Sequence, residues 1–103
     1  MKVLMVCSGG MSSTIVVKAI SDEAKKQDFP LEIEAVGTTQ IAEEMEKVDY
    51  DLLIVAPQVK HRLDNFKEVA EKHNVPVELI PPMGYTPIGA PKVLNEIIKK
   101  YAK

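Results

Sequence analysis

Cys7 is the only cysteine among 103 residues, and it closes the apolar run Lys2-Val3-Leu4-Met5-Val6-Cys7. Directly after it stand Ser8, Gly9, Gly10, Met11, Ser12, Ser13 and Thr14, and from Ile15 onward the periodicity is helical. Small polar residues between a strand and a helix let successive backbone N–H groups converge on one point. The helix N-terminus adds positive potential there. Such a nest holds phosphate oxygens, and the same field stabilises a thiolate. A thiolate beside an anion nest suits attack on phosphorus, because the nest can hold the equatorial oxygens of a transferring phosphoryl group.

Two outcomes of that attack are open. The thiophosphate is either hydrolysed, as in a phosphatase, or kept until another acceptor takes it, as in a phosphocarrier. Cysteine-dependent phosphatases fork the phosphoryl oxygens with an arginine that closes the loop. Ser13 occupies that position here, and the first arginine in the chain is Arg62. A phosphatase also needs a general acid for its leaving group. The stretch Pro81-Pro82-Met83-Gly84-Tyr85-Thr86-Pro87-Ile88-Gly89 offers no Asp, Glu or His. Both absences favour the carrier.

Other chemistries fit less well. Only His61 and His73 accompany Cys7 as soft ligands, so no metal site is expected, and no cofactor. There is no second cysteine for dithiol redox chemistry. No Lys follows the glycines as in a nucleotide-binding P-loop. Asp49 and Asp51 stand before the third strand, at the wrong end for a phosphoacceptor. Aromatic residues at 5%, with no Trp, argue against a flavin sandwich.

The elements that must position Cys7 alternate. Strands are expected over Val3 to Val6, Leu31 to Val36, Asp51 to Ala56 and Val77 to Ile80. Leu52-Leu53-Ile54-Val55-Ala56 is continuously apolar, as in a strand covered on both faces. Leu31-Glu32-Ile33-Glu34-Ala35-Val36 alternates, as at a sheet edge. A first helix is expected from Ser12 or Ser13 as N-cap, with Val16, Ile20 and Ala24 inward, an Asp22–Lys26 pair outward, and Phe29-Pro30 as its stop. A second follows Thr38-Thr39 and buries Ile41, Met45 and Val48. A third runs from about Val59 to before Asn74 on Leu63, Phe66 and Ala70. The last starts near Pro91 and buries Val93, Leu94, Ile97, Ile98 and Tyr101. The alternation predicts one α/β domain over residues 1–103, a four-stranded parallel sheet with helices on both faces. Its ligand site then lies beyond the carboxyl ends of the strands.

Composition bounds the partners. Hydrophobic residues at 46% and charged residues at 27% describe an ordinary globular domain. A net charge of -2 argues against nucleic acid as principal ligand. The lone cysteine fits a reducing, cytoplasmic setting. No apolar run approaches the roughly 20 residues that span a bilayer, so any membrane connection is expected through a partner and not by insertion.

Cys7-Ser8-Gly9-Gly10-Met11-Ser12-Ser13 at the end of a first strand closely resembles the phosphorylation loop of IIB subunits of the lactose/cellobiose-type sugar phosphotransferase system. Ala56-Pro57-Gln58-Val59 is similar to that family's motif after its third strand. The resemblance runs the full length and is nearest to the free-standing cellobiose/chitobiose branch. It implies a Rossmann-like sheet similar to low-molecular-weight phosphotyrosine phosphatases, with Cys7 as the phosphocysteine and Ser8 to Thr14 as the phosphate cradle. It also implies a IIA partner that donates from phosphohistidine. The acceptor is a sugar, β-diglucoside-like, bound by the membrane subunit IIC. The proline-rich stretch before Tyr85 departs from the family pattern.

Several residues have a plainer reading beside the functional one. Ser12 and Ser13 serve as caps, and cap and phosphate contact can coincide. Met11 suits packing or partner contact. Gln58 is equally a cap of the third helix or an edge residue facing phosphate or partner, and Tyr85 is a further edge candidate. Lys60-His61-Arg62 would sit near the Cys7 edge and attract an acidic partner. His73 at a helix end and Lys99-Lys100 near the C-terminus fit dipole complementation. A cysteine-dependent phosphatase or arsenate-reductase-like enzyme is the alternative function, and a non-catalytic binding module a third.

Overall fold

The computed structural model describes residues 1–7 and 11–102, without the side chains of residues 11–13. Strands β1 (Lys2–Cys7), β2 (Glu32–Gly37), β3 (Leu52–Val55) and β4 (Val77–Leu79) alternate with helices α1 (Met11–Lys26), α2 (Ile41–Lys47), α3 (Leu63–Lys72) and α4, which begins at Ala90–Val93. The last helix continues without interruption through a wider π segment, Leu94–Ile98, and a tight final turn, Lys99–Tyr101.

The four strands form one sheet in the order β2-β1-β3-β4, and every pairing is parallel. The apolar strands take the centre because both their faces are covered. Leu4, Val6, Leu53 and Val55 point into one layer, closed by Ile41 and Met45 of α2 and Phe66 and Ala70 of α3. Val3, Met5, Leu52 and Ile54 point into the other, closed by Val16, Ile20 and Ala24 of α1 and by Val93, Leu94 and Ile98 of α4. The alternating segment became the edge, with Glu32 and Glu34 outward.

Local structure differs from expectation in four places. Helix α1 starts at Met11, so Ser12 and Ser13 lie in its first turn and neither is its N-cap. Asp22 and Lys26 do not pair; one position further along, Gln27 Nε2 donates to Glu23 Oε2 at 2.9 Å. The third helix does not run from Val59: a tight 3-10 helix, Pro57–Arg62, precedes α3 and kinks at Val59. Proline at its start lacks the N–H that would extend the ladder backward. The lysines near the C-terminus hold tertiary contacts. Lys99 donates to Gln27 and lies over the Phe29 ring, while Lys100 pairs with Glu78 at 3.5 Å.

Two helix ends share one device. Asp28 and Asn74, both at φ 57, follow α1 and α3. In each case the next residue donates back across the turn, Phe29 N to Ala24 O at 2.8 Å and Val75 N to Ala70 O at 3.0 Å. Asp28 N and Asn74 N donate to Lys25 O and Glu71 O, each at 3.1 Å. This is the Schellman pattern, with an apolar residue folded back on the helix.

Candidate functional site

In a sheet ordered β2-β1-β3-β4, the connections leave β1 and β3 in opposite directions. Helix α1 returns over one face to β2, and α3 returns over the other to β4. The crevice beyond the carboxyl ends of β1 and β3 is the topological switch point, where such sheets bind ligands. Cys7 is the last residue of β1. Its strand neighbour Val6 accepts from Ala56 N at 2.9 Å, which sets the Ala56-Pro57-Gln58 turn alongside. On the other flank Cys7 is in register with Gly37.

The thiol is buried, and Sγ donates to the Val36 carbonyl at 3.5 Å. The turn bearing that carbonyl is pinned reciprocally. Gly37 N donates to Gln40 Oε1 at 3.2 Å, and Gln40 N donates to Gly37 O at 3.1 Å. Sequence reading missed this support; its signal was a Gly-Thr-Thr-Gln turn directly after an edge strand.

Of the expected cradle, Ser8, Gly9 and Gly10 lie outside the described residues, as do the side chains of Met11, Ser12 and Ser13. Thr14 is exposed on α1. Gln58 is exposed and makes no cap: neither the Pro57–Arg62 turn nor α3 has a side-chain cap at its start. Tyr85 is half-buried in the segment after β4 and packs against both core layers, which sets it over the end of the sheet. Lys60, His61 and Arg62 are all exposed at the end of the turn after β3. His73 is exposed at the C-cap of α3, at the opposite end of that helix from this edge.

Charge is distributed unevenly over a chain that is acidic as a whole. No Asp or Glu occurs in the segments that leave the carboxyl ends of the strands: 8–14, 38–42, 56–63 and 80–91. Lys60, His61 and Arg62 are the cationic residues there until α4 begins. Carboxylates resume in the first turns of the next helices, at Glu43 of α2 and Asp64 of α3; the segments themselves set no like charge against a dianionic phosphoryl group.

Clefts and displaced proton equilibria lie elsewhere. A cleft of about 420 Å³ is lined by Lys2, Glu32, Glu34, Glu44 and Tyr50, at the amino end of the strands. Burial, and then the hydrogen bond that Tyr50 donates to Glu44 at 2.8 Å, push the Tyr50 phenol above its ordinary range. The Tyr101 phenol is raised too, first by its hydrogen bond to Glu78 and then by burial. Both pairs tie elements together. Among the described residues no group of His, Cys, Asp and Glu could hold a metal ion.

Residues 2–96 match the family of lactose/cellobiose-specific IIB subunits of the phosphotransferase system. This chain belongs to that family. The oligo-beta-mannoside-specific EIIB component of Bacillus subtilis strain 168 is 32% identical over 84 residues, covering 82% of this chain and 80% of the relative. The lactose-specific IIB domain from Streptococcus pneumoniae superposes with a TM-score of 0.80 at 23% identity, covering 100% of this chain and 98% of that one. The cellobiose-specific IIB protein from Borrelia burgdorferi gives 0.74 at 29% identity, covering 98% and 91%. The IIB chain is thus a phosphotransferase component, a phosphocarrier for sugar uptake that works with IIA and IIC partners. Membership decides for the phosphocarrier over the phosphatase. Among the described residues no helix is long and apolar enough to cross a membrane.

Proposed function

We propose that Cys7 is the residue that carries the phosphoryl group. The observation behind this is its place: the one cysteine ends β1 at the switch point of the sheet. Cys7 Sγ attacks the phosphorus of a phosphohistidine on IIA. An S–P bond forms, the N–P bond breaks, and the thiol's proton ends on the departing imidazole nitrogen. Sγ first leaves the Val36 carbonyl and turns toward the edge, where backbone N–H groups of the Ser8 to Thr14 segment, with the Ser8, Ser12 and Ser13 hydroxyls, receive the phosphoryl oxygens. Gln58 and Tyr85 flank the exchange and face the partner.

With Ser at position 13 in place of a forked arginine, and no Asp, Glu or His in the stretch Pro81 to Gly89, water attacks the thiophosphate slowly. In the second transfer a hydroxyl of the sugar bound by IIC takes the phosphoryl group, and its proton returns to sulfur. The exchange takes place at the cytoplasmic face of the membrane. The sugar is a β-linked disaccharide or short oligosaccharide, in keeping with the oligo-beta-mannoside and cellobiose in the relatives' names.

Intact mass after incubation with phosphoenolpyruvate, the upstream phosphotransferase components and IIA tests the assignment. One phosphoryl group is gained by the native chain, labile as a thiophosphate, and none by Cys7→Ser. A gain that survives in Cys7→Ser overturns it.

A further inference from the structure

Four large apolar side chains are exposed among the described residues: Ile15 at 53%, Leu79 at 38%, Met83 at 78% and Ile88 at 93%. All four belong to the carboxyl edge of the sheet. Ile15 follows the Cys7 segment, Leu79 ends β4, and Met83 and Ile88 stand on the connection from β4 to α4. The amino end of the sheet and the faces of α2, α3 and α4 show none among the described residues.

The Met83–Ile88 segment is built to hold its apolar pair outward. Thr86 Oγ1 donates to Met83 O at 3.4 Å and accepts from Gly89 N at 3.0 Å, so one hydroxyl closes the loop on itself. Gly84 N donates to Pro81 O at 2.8 Å. A Cβ on Gly89 would lie 2.4 Å from Met83 O, so the two ends of the loop touch at backbone distance. Three prolines, Pro81, Pro82 and Pro87, remove backbone freedom, and Tyr85 anchors the middle in both core layers. Two large apolar side chains on a rigid, self-closed loop lose little entropy on burial, which is the character of binding anchors.

We infer that Met83 and Ile88 form the docking anchor for phosphorylated IIA, an inference that rests on the phosphocarrier reading of Cys7. Any phosphoryl partner must cover this edge to reach Cys7. The donor arrives bearing the phosphoryl dianion, for which Lys60, His61 and Arg62, exposed on the turn after β3, are the electrostatic complement.

The test is the rate at which the full chain gains a phosphoryl group, read by mass, against the concentration of phosphorylated IIA from the same transport system. Met83→Ser/Ile88→Ser raises the half-saturating IIA concentration at least about tenfold, as loss of a hot-spot pair does. Alkylation of Cys7 by iodoacetamide and the melting temperature stay as in the native chain, and Met83→Leu/Ile88→Leu saturates near the native concentration. Native saturation in the serine double variant overturns the inference and leaves the phosphocarrier reading intact. A loss confined to transfer onward to IIC and sugar also overturns it, since the anchor then belongs to the acceptor. A native chain that takes no phosphoryl group from IIA removes both readings.

Discussion

Tyr50 shows how one side chain can link stability to pH without touching the reaction. Its hydroxyl donates to Glu44, and burial acts in the same direction, so the folded chain holds the phenolic proton beyond the ordinary value of 10.0. Unfolded, the same phenol releases its proton near that value. Above about pH 10 the native state therefore binds more protons, and stability falls as pH rises; below it the contribution is fully present. Tyr50→Phe should cost about 1 kcal/mol at neutral pH, the net worth of one hydrogen bond. It should also flatten the decline above pH 10, as urea denaturation across that range would show; an equal slope in both proteins refutes the linkage. At the functional edge the residue types were legible in the sequence, since Cys7, Ser13, Gln58 and Tyr85 are read directly from it. The Val36 carbonyl as partner of Sγ was not, because it comes from a neighbouring strand far along the chain.

Elements in this chain end by devices that sequence patterns show only faintly. Glycine usually takes the left-handed position of a Schellman cap, yet here Asp28 and Asn74 take it, at a steric cost that glycine avoids. Asp28 also sets a carboxylate at the negative end of the α1 dipole. Asp28→Gly should therefore stabilise by about 1 kcal/mol and raise the melting temperature by roughly 4–8 °C, while Asp28→Val should lower it. Calorimetry of the two variants distinguishes this cap from an incidental turn, in which both would change little. The expected starts of the first and third helices missed for a related reason. Capping is decided by backbone geometry at the junction, whereas the apolar rows Val16, Ile20, Ala24 and Phe66, Ala70 are decided by burial, and those rows were right.

At the scale of the whole molecule, two core layers share one sheet, and adjacent residues of β3 serve different layers. Leu53 faces α2 and α3, Ile54 faces α1 and α4, and both are fully buried. Leu53→Ala and Ile54→Ala should each cost about 2–5 kcal/mol, whereas Glu34→Ala on the exposed edge should stay within about 0.5 kcal/mol. Chemical denaturation measures all three, and a cheap Leu53→Ala or Ile54→Ala would mean that its layer contributes little to the fold. The sequence by itself determined that this is a parallel α/β sheet with β2 at an edge, β3 covered on both faces and a lone thiol at the end of the first strand. Periodicity and composition are local, and the burial they demand admits few architectures. Only the tertiary structure decided the strand order, which makes the end of β1 a switch point. It also decided that the turns after β3 and β4 share that edge, and that Met83 and Ile88 stay in solvent. Those facts depend on which distant segments meet, and no local pattern along the chain encodes such meetings.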